Sequence, residues 1–266
     1  MARYTAEDAS LAYEVQGPTK SAYPTLLTVH GFPLDGSMWE KVIPGLVREM
    51  RVINPDLRGF GASQATRKAS MGRYADDLAL LLDLVGEKRP VIIMGLSMGG
   101  YIAFEFMRRH GQRLAGAVLA DTRTEGDSDE AKKGRIADAE RVLREGPRFL
   151  AEKMMPKVFG AGLAEAEKKK WLERMAGQAS EGVAAALHAI AERPDSAETY
   201  RGFARPSVVI AGSEDAITPA AGNRAMAGLN AKATYVEIAG SGHVPPVEKP
   251  EEFVQAALRF VRETNW

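Results

Sequence analysis

The serine at position 97 lies in the setting that most clearly suggests chemistry. Gly95-Leu96-Ser97-Met98-Gly99-Gly100 follows an apolar run at 91–94 and opens an apolar helical stretch at 98–107. A Gly-x-Ser-x-Gly sequence between a buried strand and a helix is typical of a nucleophile elbow, a sharp turn that exposes the serine hydroxyl. The pattern favours Ser97 as a nucleophile, and the alternative is a glycine-rich turn whose serine caps the helix.

A serine hydroxyl is a poor nucleophile until a base accepts its proton, and the chain offers four histidines. His30 ends a predicted strand, His110 ends the helix after the elbow, and His188 lies within a later helix. His243 lies in a predicted flexible loop, Gly240-Ser241-Gly242-His243, after the last predicted strand. A base in that loop can reach over the strand ends, so we predict that His243 is the base.

An acid that orients this histidine should come between Ser97 and His243 in chain order, after a strand. Asp215 follows the apolar run 208–210 and is the preferred candidate, since it lies in a turn followed by a proline. Asp121, after the run 117–120, is its rival, and Glu214 is a weaker one. The acid would hold the imidazole in one tautomer and stabilise its protonated form.

Two backbone N–H groups are candidates for stabilising a developing oxyanion. The N–H of Met98 lies at a helix N-terminus directly after the serine. The N–H of Phe32, in His30-Gly31-Phe32-Pro33, would be the second donor, and Gly31 would let the backbone approach a substrate. The alternative for this second segment is a plain strand-to-loop turn. For His30 itself we expect structural hydrogen bonds rather than a part in catalysis.

These residues must be positioned by a framework of alternating strands and helices. Alternating segments at 3–7 and 11–16 predict a hairpin, and apolar runs predict further strands. A helical pattern is predicted over 38–47, and residues 122–204 are helical without a strand. The sequence therefore predicts a mostly parallel α/β core from 1–121 and 205–266 with a helical cap at 122–204. The remaining strands are expected at 26–29, 51–54, 91–94, 117–120, 208–210 and 234–238.

Composition excludes several classes of function. Lys and Arg total 35 and so do Asp and Glu, so the basic excess of a nucleic-acid or anionic-membrane binder is missing. The absence of cysteine excludes disulfides, thiolate metal sites, iron–sulfur clusters and a cysteine nucleophile. The first eight residues are polar, so we expect that the chain has no signal peptide. We also expect a cytoplasmic protein without a membrane span, because no apolar run is long enough to cross a bilayer.

Together these motifs resemble those of the α/β-hydrolase family over nearly the whole chain. The resemblance rests on His30-Gly31-Phe32-Pro33-Leu34, Asp56-Leu57-Arg58-Gly59-Phe60-Gly61-Ala62-Ser63, the elbow, Gly212-Ser213-Glu214-Asp215 and Gly242-His243. Within this family, the sequence is similar to small bacterial carboxylesterases and to their relatives, the 3-oxoadipate enol-lactonases and the cofactor-free haloperoxidases (perhydrolases). The resemblance implies an eight-stranded sheet with a helical cap, and Ser97, Asp215 and His243 as a catalytic triad. It also implies Phe32 and Met98 as oxyanion donors and a structural role for the loop at 56–63.

The expected activity is hydrolysis of short- to medium-chain esters through an acyl-enzyme, with no metal or organic cofactor. The expected partner is a small-molecule ester, and either a monomer or a homodimer is compatible with the sequence. Enol-lactone hydrolysis and perhydrolysis are alternatives on the same residues, and a catalytically silent binding protein is a third. The residues expected near a substrate pocket are Gly31, Leu34, Arg123, Met154, Met155, Phe159, His188, Ile217 and Val244.

Overall fold

A single eight-stranded sheet forms the centre of the molecule. The computed structural model describes residues 1–266. The strand order is β1-β2-β4-β3-β5-β6-β7-β8, in which β2 pairs antiparallel with both β1 and β4 and all other neighbours pair parallel. The predicted α/β-hydrolase fold is confirmed. The strands are β1 (Ala2–Ala6), β2 (Ala9–Gln16), β3 (Leu26–Val29), β4 (Val52–Pro55), β5 (Val91–Leu96), β6 (Leu114–Ala120), β7 (Ser207–Gly212) and β8 (Ala233–Ile238).

Helices cover both faces of this sheet, as the apolar strands require. All six residues of β5 are buried, and they alternate between two apolar clusters. Val91 and Ile93 pack in one cluster, and Ile92 and Met94 pack in the other. The helices are α1 (Ile43–Leu46), α2 (Met71–Leu84), α3 (Met98–His110), α4 (Asp129–Glu145), α5 (Arg148–Val158), α6 (Glu165–Ala176), α7 (Ser180–Ala191), α8 (Ala197–Arg201), α9 (Ala220–Ala227), α10 (Pro245–Glu248) and α11 (Pro250–Glu263).

The helix predicted over 38–47 is wrong as one continuous element. The structure has a short 3₁₀ helix at Gly36–Trp39 and a separate single turn at α1. Pro44 explains the break, because it lacks the N–H that a continuous helix would need and its ring favours the first turn. The apolar face is nevertheless buried, since Met38 and Trp39 are fully covered.

The five helices α4 to α8 lie between β6 and β7, and no strand occurs among them. Helix α7 approaches the core so closely that a Cβ on Gly182 would lie 2.0 Å from the Gly59 carbonyl oxygen. Just before α7, Gln178 accepts a hydrogen bond from Gly61 N at 2.9 Å and donates one to Asp35 at 2.9 Å. These contacts hold the helical segment against loops of the sheet. None of the helices combines the length and the apolar character that a membrane crossing requires.

Candidate active site

Ser97 occupies the turn between β5 and α3 in a rare backbone conformation. Its φ is +54° and its ψ is −114°, a region that non-glycine residues avoid unless the surroundings impose it. A Cβ on Gly99 would lie 2.1 Å from the Val29 carbonyl oxygen, so only glycine permits this approach of α3 to the sheet. The side chain of Ser97 makes no capping hydrogen bond to α3 and is only partly buried. The hydroxyl is therefore free and accessible at a strained turn.

Asp215 and His243 are joined by a hydrogen bond. The distance between His243 Nδ1 and Asp215 Oδ2 is 2.8 Å, and both residues are buried. Since an ionised carboxylate only accepts hydrogen bonds, Nδ1 carries the proton and Nε2 is left as the basic nitrogen. Burial opposes ionisation of Asp215, but the facing His243 and hydrogen bonds from Thr218 bring its pKa below the ordinary value.

Thr218 completes the surroundings of Asp215, and the sequence did not identify it. Its hydroxyl donates to Asp215 Oδ2 at 2.5 Å, and its backbone N–H donates to Oδ1 at 3.0 Å. The N–H of Ile217 also donates to Oδ1, at 2.7 Å. Aspartate and threonine side chains often form local hydrogen bonds with nearby residues of the same turn. The spacing of three residues between Asp215 and Thr218 was therefore the sequence signal from which Thr218 could have been identified.

The segment 120–122 connects Ser97 to this acid–histidine pair. Ser97 N donates to the Ala120 carbonyl at 2.9 Å, and the Thr122 hydroxyl donates to the Ser97 carbonyl at 2.8 Å. Between them, Asp121 places a carboxylate oxygen within 4.8 Å of ligand atoms of both Asp215 and His243. Ser97 and His243 form no direct hydrogen bond.

Asn223, on α9, is hydrogen-bonded to the backbone of the same region, and the sequence patterns did not identify it. Its side-chain oxygen accepts from Thr122 N at 3.2 Å, and its amide nitrogen donates to the Thr218 carbonyl at 2.7 Å. The residue is completely buried. One amide therefore holds the loop after β6 and the loop after β7 at a fixed separation.

The two predicted oxyanion donors have no acceptor within the chain. Neither Phe32 N nor Met98 N takes part in a backbone hydrogen bond. A Cβ on Gly31 would lie 3.5 Å from the Ser97 Cβ, so the loop that carries Phe32 lies against the serine. Two unpaired N–H groups beside one hydroxyl are the arrangement that stabilises an oxyanion.

His30 has the structural role that the sequence analysis favoured. It is fully buried, and its Nε2 accepts a hydrogen bond from Leu57 N at 3.0 Å. Its Nδ1 therefore carries the proton and donates to the Gly31 carbonyl at 3.0 Å. Burial lowers the pKa of His30, which favours this neutral form. His30 thus fixes the loop beside Ser97.

The rival acids have other contacts. Asp121 Oδ1 accepts a hydrogen bond from Gly212 N at 2.8 Å, which joins the ends of β6 and β7. Glu214 is exposed and accepts a hydrogen bond from Ala161 N at 3.1 Å. Neither carboxylate is hydrogen-bonded to His243. Of the three acids considered, Asp215 alone makes that contact.

The loop that carries His243 is held on both sides by one carboxylate. Glu248 Oε2 accepts hydrogen bonds from Gly242 N at 2.9 Å and from Gly160 N at 2.7 Å, and Oε1 accepts from Val244 N at 3.0 Å. The amide of His243 itself donates to the Val158 carbonyl at 2.9 Å. The loop was predicted to be flexible, but it continues directly into α10 and is tied to the end of α5.

Asp121, Asp215 and His243 also form a group that could be considered for a metal ion, since their ligand atoms lie within 4.8 Å of one another. The donor set does not fit one. The Nδ1 of His243 and the Oδ2 of Asp215 face each other at a hydrogen-bond distance of 2.8 Å, so an ion could not enter between them without breaking that contact. The three side chains therefore fit a hydrogen-bonded acid–histidine pair with a neighbouring acid better than a metal site.

Comparison with known proteins decides the family. A family model described as "Alpha/beta hydrolase family" matches residues 26–256. The chain belongs to the α/β-hydrolase family. The resemblance that the motifs indicated is thereby confirmed.

Solved structures of other α/β hydrolases include the relatives expected from the motifs. A thermophilic esterase from Thermogutta terrifontis is 42% identical, covers 99% of both chains and has a TM-score of 0.94. An enol-lactonase from Burkholderia xenovorans LB400 is 26% identical over 98% of this chain and 100% of that one, with a TM-score of 0.90. A bromoperoxidase from Bacillus anthracis, 23% identical over 96% of each chain with a TM-score of 0.84, is similar in fold.

The residues expected near a substrate pocket of this α/β hydrolase occupy different environments. Arg123 donates a hydrogen bond to the Ile217 carbonyl, and both side chains are partly buried beside the loop of Asp215. His188 is exposed on α7 and makes no side-chain hydrogen bond. Four others are buried or half-buried in the apolar core around the sheet and the helical segment, namely Leu34, Val244, Phe159 and Met154.

Two cavities of this α/β hydrolase do not include Ser97 in their lining. Met155 and Phe159 line a cleft of about 600 Å³ between α5 and α6, together with Lys168 and Leu172. Another cavity, of about 560 Å³, is lined by Pro90 and other residues at the amino ends of the parallel strands. Neither is lined by Ser97 or His243, so the predicted pocket lining remains a prediction.

Proposed function

We propose that the protein is a serine carboxylesterase in which Ser97 is the nucleophile, His243 the base and Asp215 the acid. One observation carries the proposal. His243 is hydrogen-bonded through Nδ1 to Asp215, which leaves Nε2 free in the same region as the unpaired hydroxyl of Ser97. The 42% identical structure of an esterase from Thermogutta terrifontis supports the same class of reaction.

In the first step, the Ser97 oxygen attacks the ester carbonyl carbon while its proton moves to Nε2 of His243. The carbonyl π electrons move to oxygen and give a tetrahedral oxyanion. The C–O bond to the alcohol then breaks, and His243 returns the proton to the leaving oxygen. Free alcohol departs and an acyl-serine remains, so charge and protons balance.

The second step uses the same groups on water. His243 removes a proton from a water molecule, whose oxygen attacks the acyl carbon. When the second tetrahedral intermediate collapses, the bond to Ser97 breaks and the proton returns from His243 to the serine oxygen. The carboxylic acid leaves, and the enzyme is restored. In both steps the N–H groups of Phe32 and Met98 hold the oxyanion, because neither has another acceptor.

The substrate class is short- to medium-chain carboxylic esters without strong charge. The chain has equal numbers of acidic and basic residues, so no excess charge favours an anionic substrate over the molecule as a whole. Arg123 lies beside the loop of Asp215, and one of its guanidinium N–H groups donates to the Ile217 carbonyl. An ester with an apolar acyl group therefore fits the surroundings best.

Hydrolysis of an enol-lactone is the second candidate. The observation that favours it is the 26% identical structure of an enol-lactonase from Burkholderia xenovorans LB400, which covers 98% of this chain. A lactone is a cyclic ester, so the same acyl-serine would form while the leaving enol stayed attached to the acyl group. The two candidates differ in substrate shape and share the nucleophile.

A substrate series with a covalent probe tests the proposal. We expect turnover of p-nitrophenyl esters that varies with acyl length, and stoichiometric labelling of Ser97 by an alkyl fluorophosphonate. Ser97→Ala should abolish both, whereas the matched control Ser70→Ala, at an exposed serine that caps α2, should retain both. Substantial ester turnover by the folded Ser97→Ala protein would contradict the proposal. Faster turnover of an enol-lactone than of every ester would favour the second candidate.

A further inference from the structure

Asp121 has one carboxyl oxygen without any donor. The residue directly follows β6, adopts a positive φ of +41° and has no exposed surface. Its Oδ1 accepts the hydrogen bond from Gly212 N, but its Oδ2 is buried with no donor in reach. An ionised carboxylate buried in this way would leave part of its charge unsolvated, which is strongly unfavourable.

A second carboxyl group lies beside it. A carboxylate oxygen of Asp215 lies within 4.8 Å of a carboxylate oxygen of Asp121. Asp215 accepts hydrogen bonds from Thr218, Ile217 and His243, and each of these favours its ionised form. Two carboxylates in one buried site do not both ionise readily, because like charges repel strongly there. The negative charge therefore belongs to Asp215.

The other charged or titratable groups that face Asp121 do not change this balance. Glu248 and Asp215 are acids whose charges oppose ionisation of Asp121. The hydroxyl of Tyr235, on β8, donates to the Ala220 carbonyl at 3.2 Å and to Glu237 at 2.9 Å. His243 is the basic group within this cluster of side chains, and its Nδ1 is already paired with Asp215. Arg123, two residues further along the chain, donates to the Ile217 carbonyl. Burial, followed by the charge of Asp215, raises the pKa of Asp121 well above its ordinary value.

We propose that Asp121 is a neutral carboxylic acid in the folded protein and that its Oδ2–H donates a hydrogen bond to Asp215. Asp215 is the polar neighbour that can accept it, since Nδ1 of His243 is a donor in this arrangement. Asp121 would then be a positioning residue: it joins β6 to β7 through Gly212 and holds the ionised partner of His243 in place. The positioning role rests on the function proposed above, whereas the neutral state of Asp121 does not.

The neutral state can be tested without any activity measurement. If Asp121 is protonated when folded and ionised when unfolded, unfolding releases one proton that Asp121→Asn cannot release. From about pH 5 upward, the ratio of the unfolding equilibrium constants of wild type and Asp121→Asn should rise about tenfold per pH unit. A ratio that stays flat with pH would overturn the proposal, because it would mean that Asp121 is ionised in the folded protein.

A control and a second variant keep this test decisive. Asp129→Asn, at an exposed position in the first turn of α4, is the matched control for the loss of a carboxyl group at the surface. If Asp121→Asn does not fold, Asp121→Ser still provides an acceptor for Gly212 N and a hydroxyl donor, and the same slope is expected. Wild-type protein at neutral pH should also show the infrared C=O stretch of a protonated carboxyl group that is lost in the variant.

The positioning role has a separate readout. Asp121→Ala should lower kcat for an ester about tenfold, and Asp121→Asn should recover most of the loss, because its amide can donate to Asp215 and its oxygen can accept from Gly212 N. Equal losses in both variants would overturn the positioning role. Failure of the fluorophosphonate to label Ser97 would instead contradict the proposed esterase function. The test of the neutral state of Asp121 by unfolding at different pH values would remain valid.

Discussion

Glu248 accepts hydrogen bonds from the backbone N–H groups on both sides of His243. The distances are 2.9 Å from Gly242 N and 3.0 Å from Val244 N, so the carboxylate fixes the peptide units that carry the imidazole. The same carboxylate accepts a hydrogen bond from Gly160 N, which follows α5. A single side chain therefore positions the proposed base and anchors the helical segment after β6 to it.

Replacement of Glu248 should impair turnover without abolishing substrate binding. In Glu248→Ala three N–H groups lose a charged acceptor, and we expect kcat to fall by on the order of tenfold to a hundredfold while KM changes little. Glu248→Gln should be intermediate, because an amide presents one oxygen and cannot satisfy both sides of the histidine. Steady-state kinetics on one p-nitrophenyl ester measures this. Glu251→Ala, at an exposed residue of α11, is the control and should match wild type.

The three acids near the site should rank clearly by mutation. Asp215→Asn removes the charge that orients His243, and we expect kcat to fall about 10⁴-fold, as for the equivalent change in serine proteases. Glu214→Gln should have a small effect, since Glu214 contacts a backbone N–H in the loop before α6 and lies at the surface. Comparison of kcat/KM among folded variants decides the ranking. A larger loss from Asp121→Asn than from Asp215→Asn would reassign the acid.

Acid should remove a stabilising contribution from Asp215. Its pKa in the folded protein lies below the ordinary aspartate value, because burial, which raises it, is outweighed by His243 and Thr218. A lowered folded pKa contributes stability that is present above the unfolded pKa of about 3.9 and is lost as the pH falls through the folded pKa. Urea denaturation from pH 6 downward should therefore show wild type losing stability faster than Asp215→Asn, where this ionisation is absent. Parallel curves would contradict the assigned shift.

Thr218 should matter through its hydroxyl. In Thr218→Val the shape of the side chain is kept, but Asp215 Oδ2 loses a donor at 2.5 Å. We expect kcat to fall by about tenfold and the ionised form of Asp215 to become less stable. Thr218→Ser, which restores the hydroxyl, should recover most of the activity. Rates measured across pH for the two variants separate loss of the hydrogen bond from loss of packing.

Two glycine substitutions should have opposite effects on stability. In Gly99→Ala the new Cβ would lie 2.1 Å from a backbone oxygen of β3, so α3 would be displaced and the protein destabilised by several kcal/mol, roughly the upper range for single changes. Gly134 is exposed within α4 and has nothing within 4 Å of its Cβ position. Gly134→Ala should therefore stabilise the protein by about 0.5–1 kcal/mol. Thermal melting of both variants checks the prediction, and a stable Gly99→Ala protein would contradict it.

Local sequence patterns predicted the strands of the sheet and selected Ser97, Asp215 and His243 as site candidates. Ser97 is recognisable because the elbow requires glycines at fixed spacing, and β5 because both of its faces are buried. Glu248 and Asn223 could not be found in this way, because each joins its own neighbourhood to a backbone group far away in sequence, Gly160 N for Glu248 and Thr122 N for Asn223. The break before α1 was missed because an apolar helical pattern was given more weight than Pro44.

The hydrogen bond from the His243 amide to the Val158 carbonyl gives the helical segment a mechanical link to the proposed base. Any displacement of the end of α5 would therefore break this hydrogen bond or move the backbone that carries the imidazole. Substitutions in α5 that shift Val158 can thus reach the proposed base without touching it.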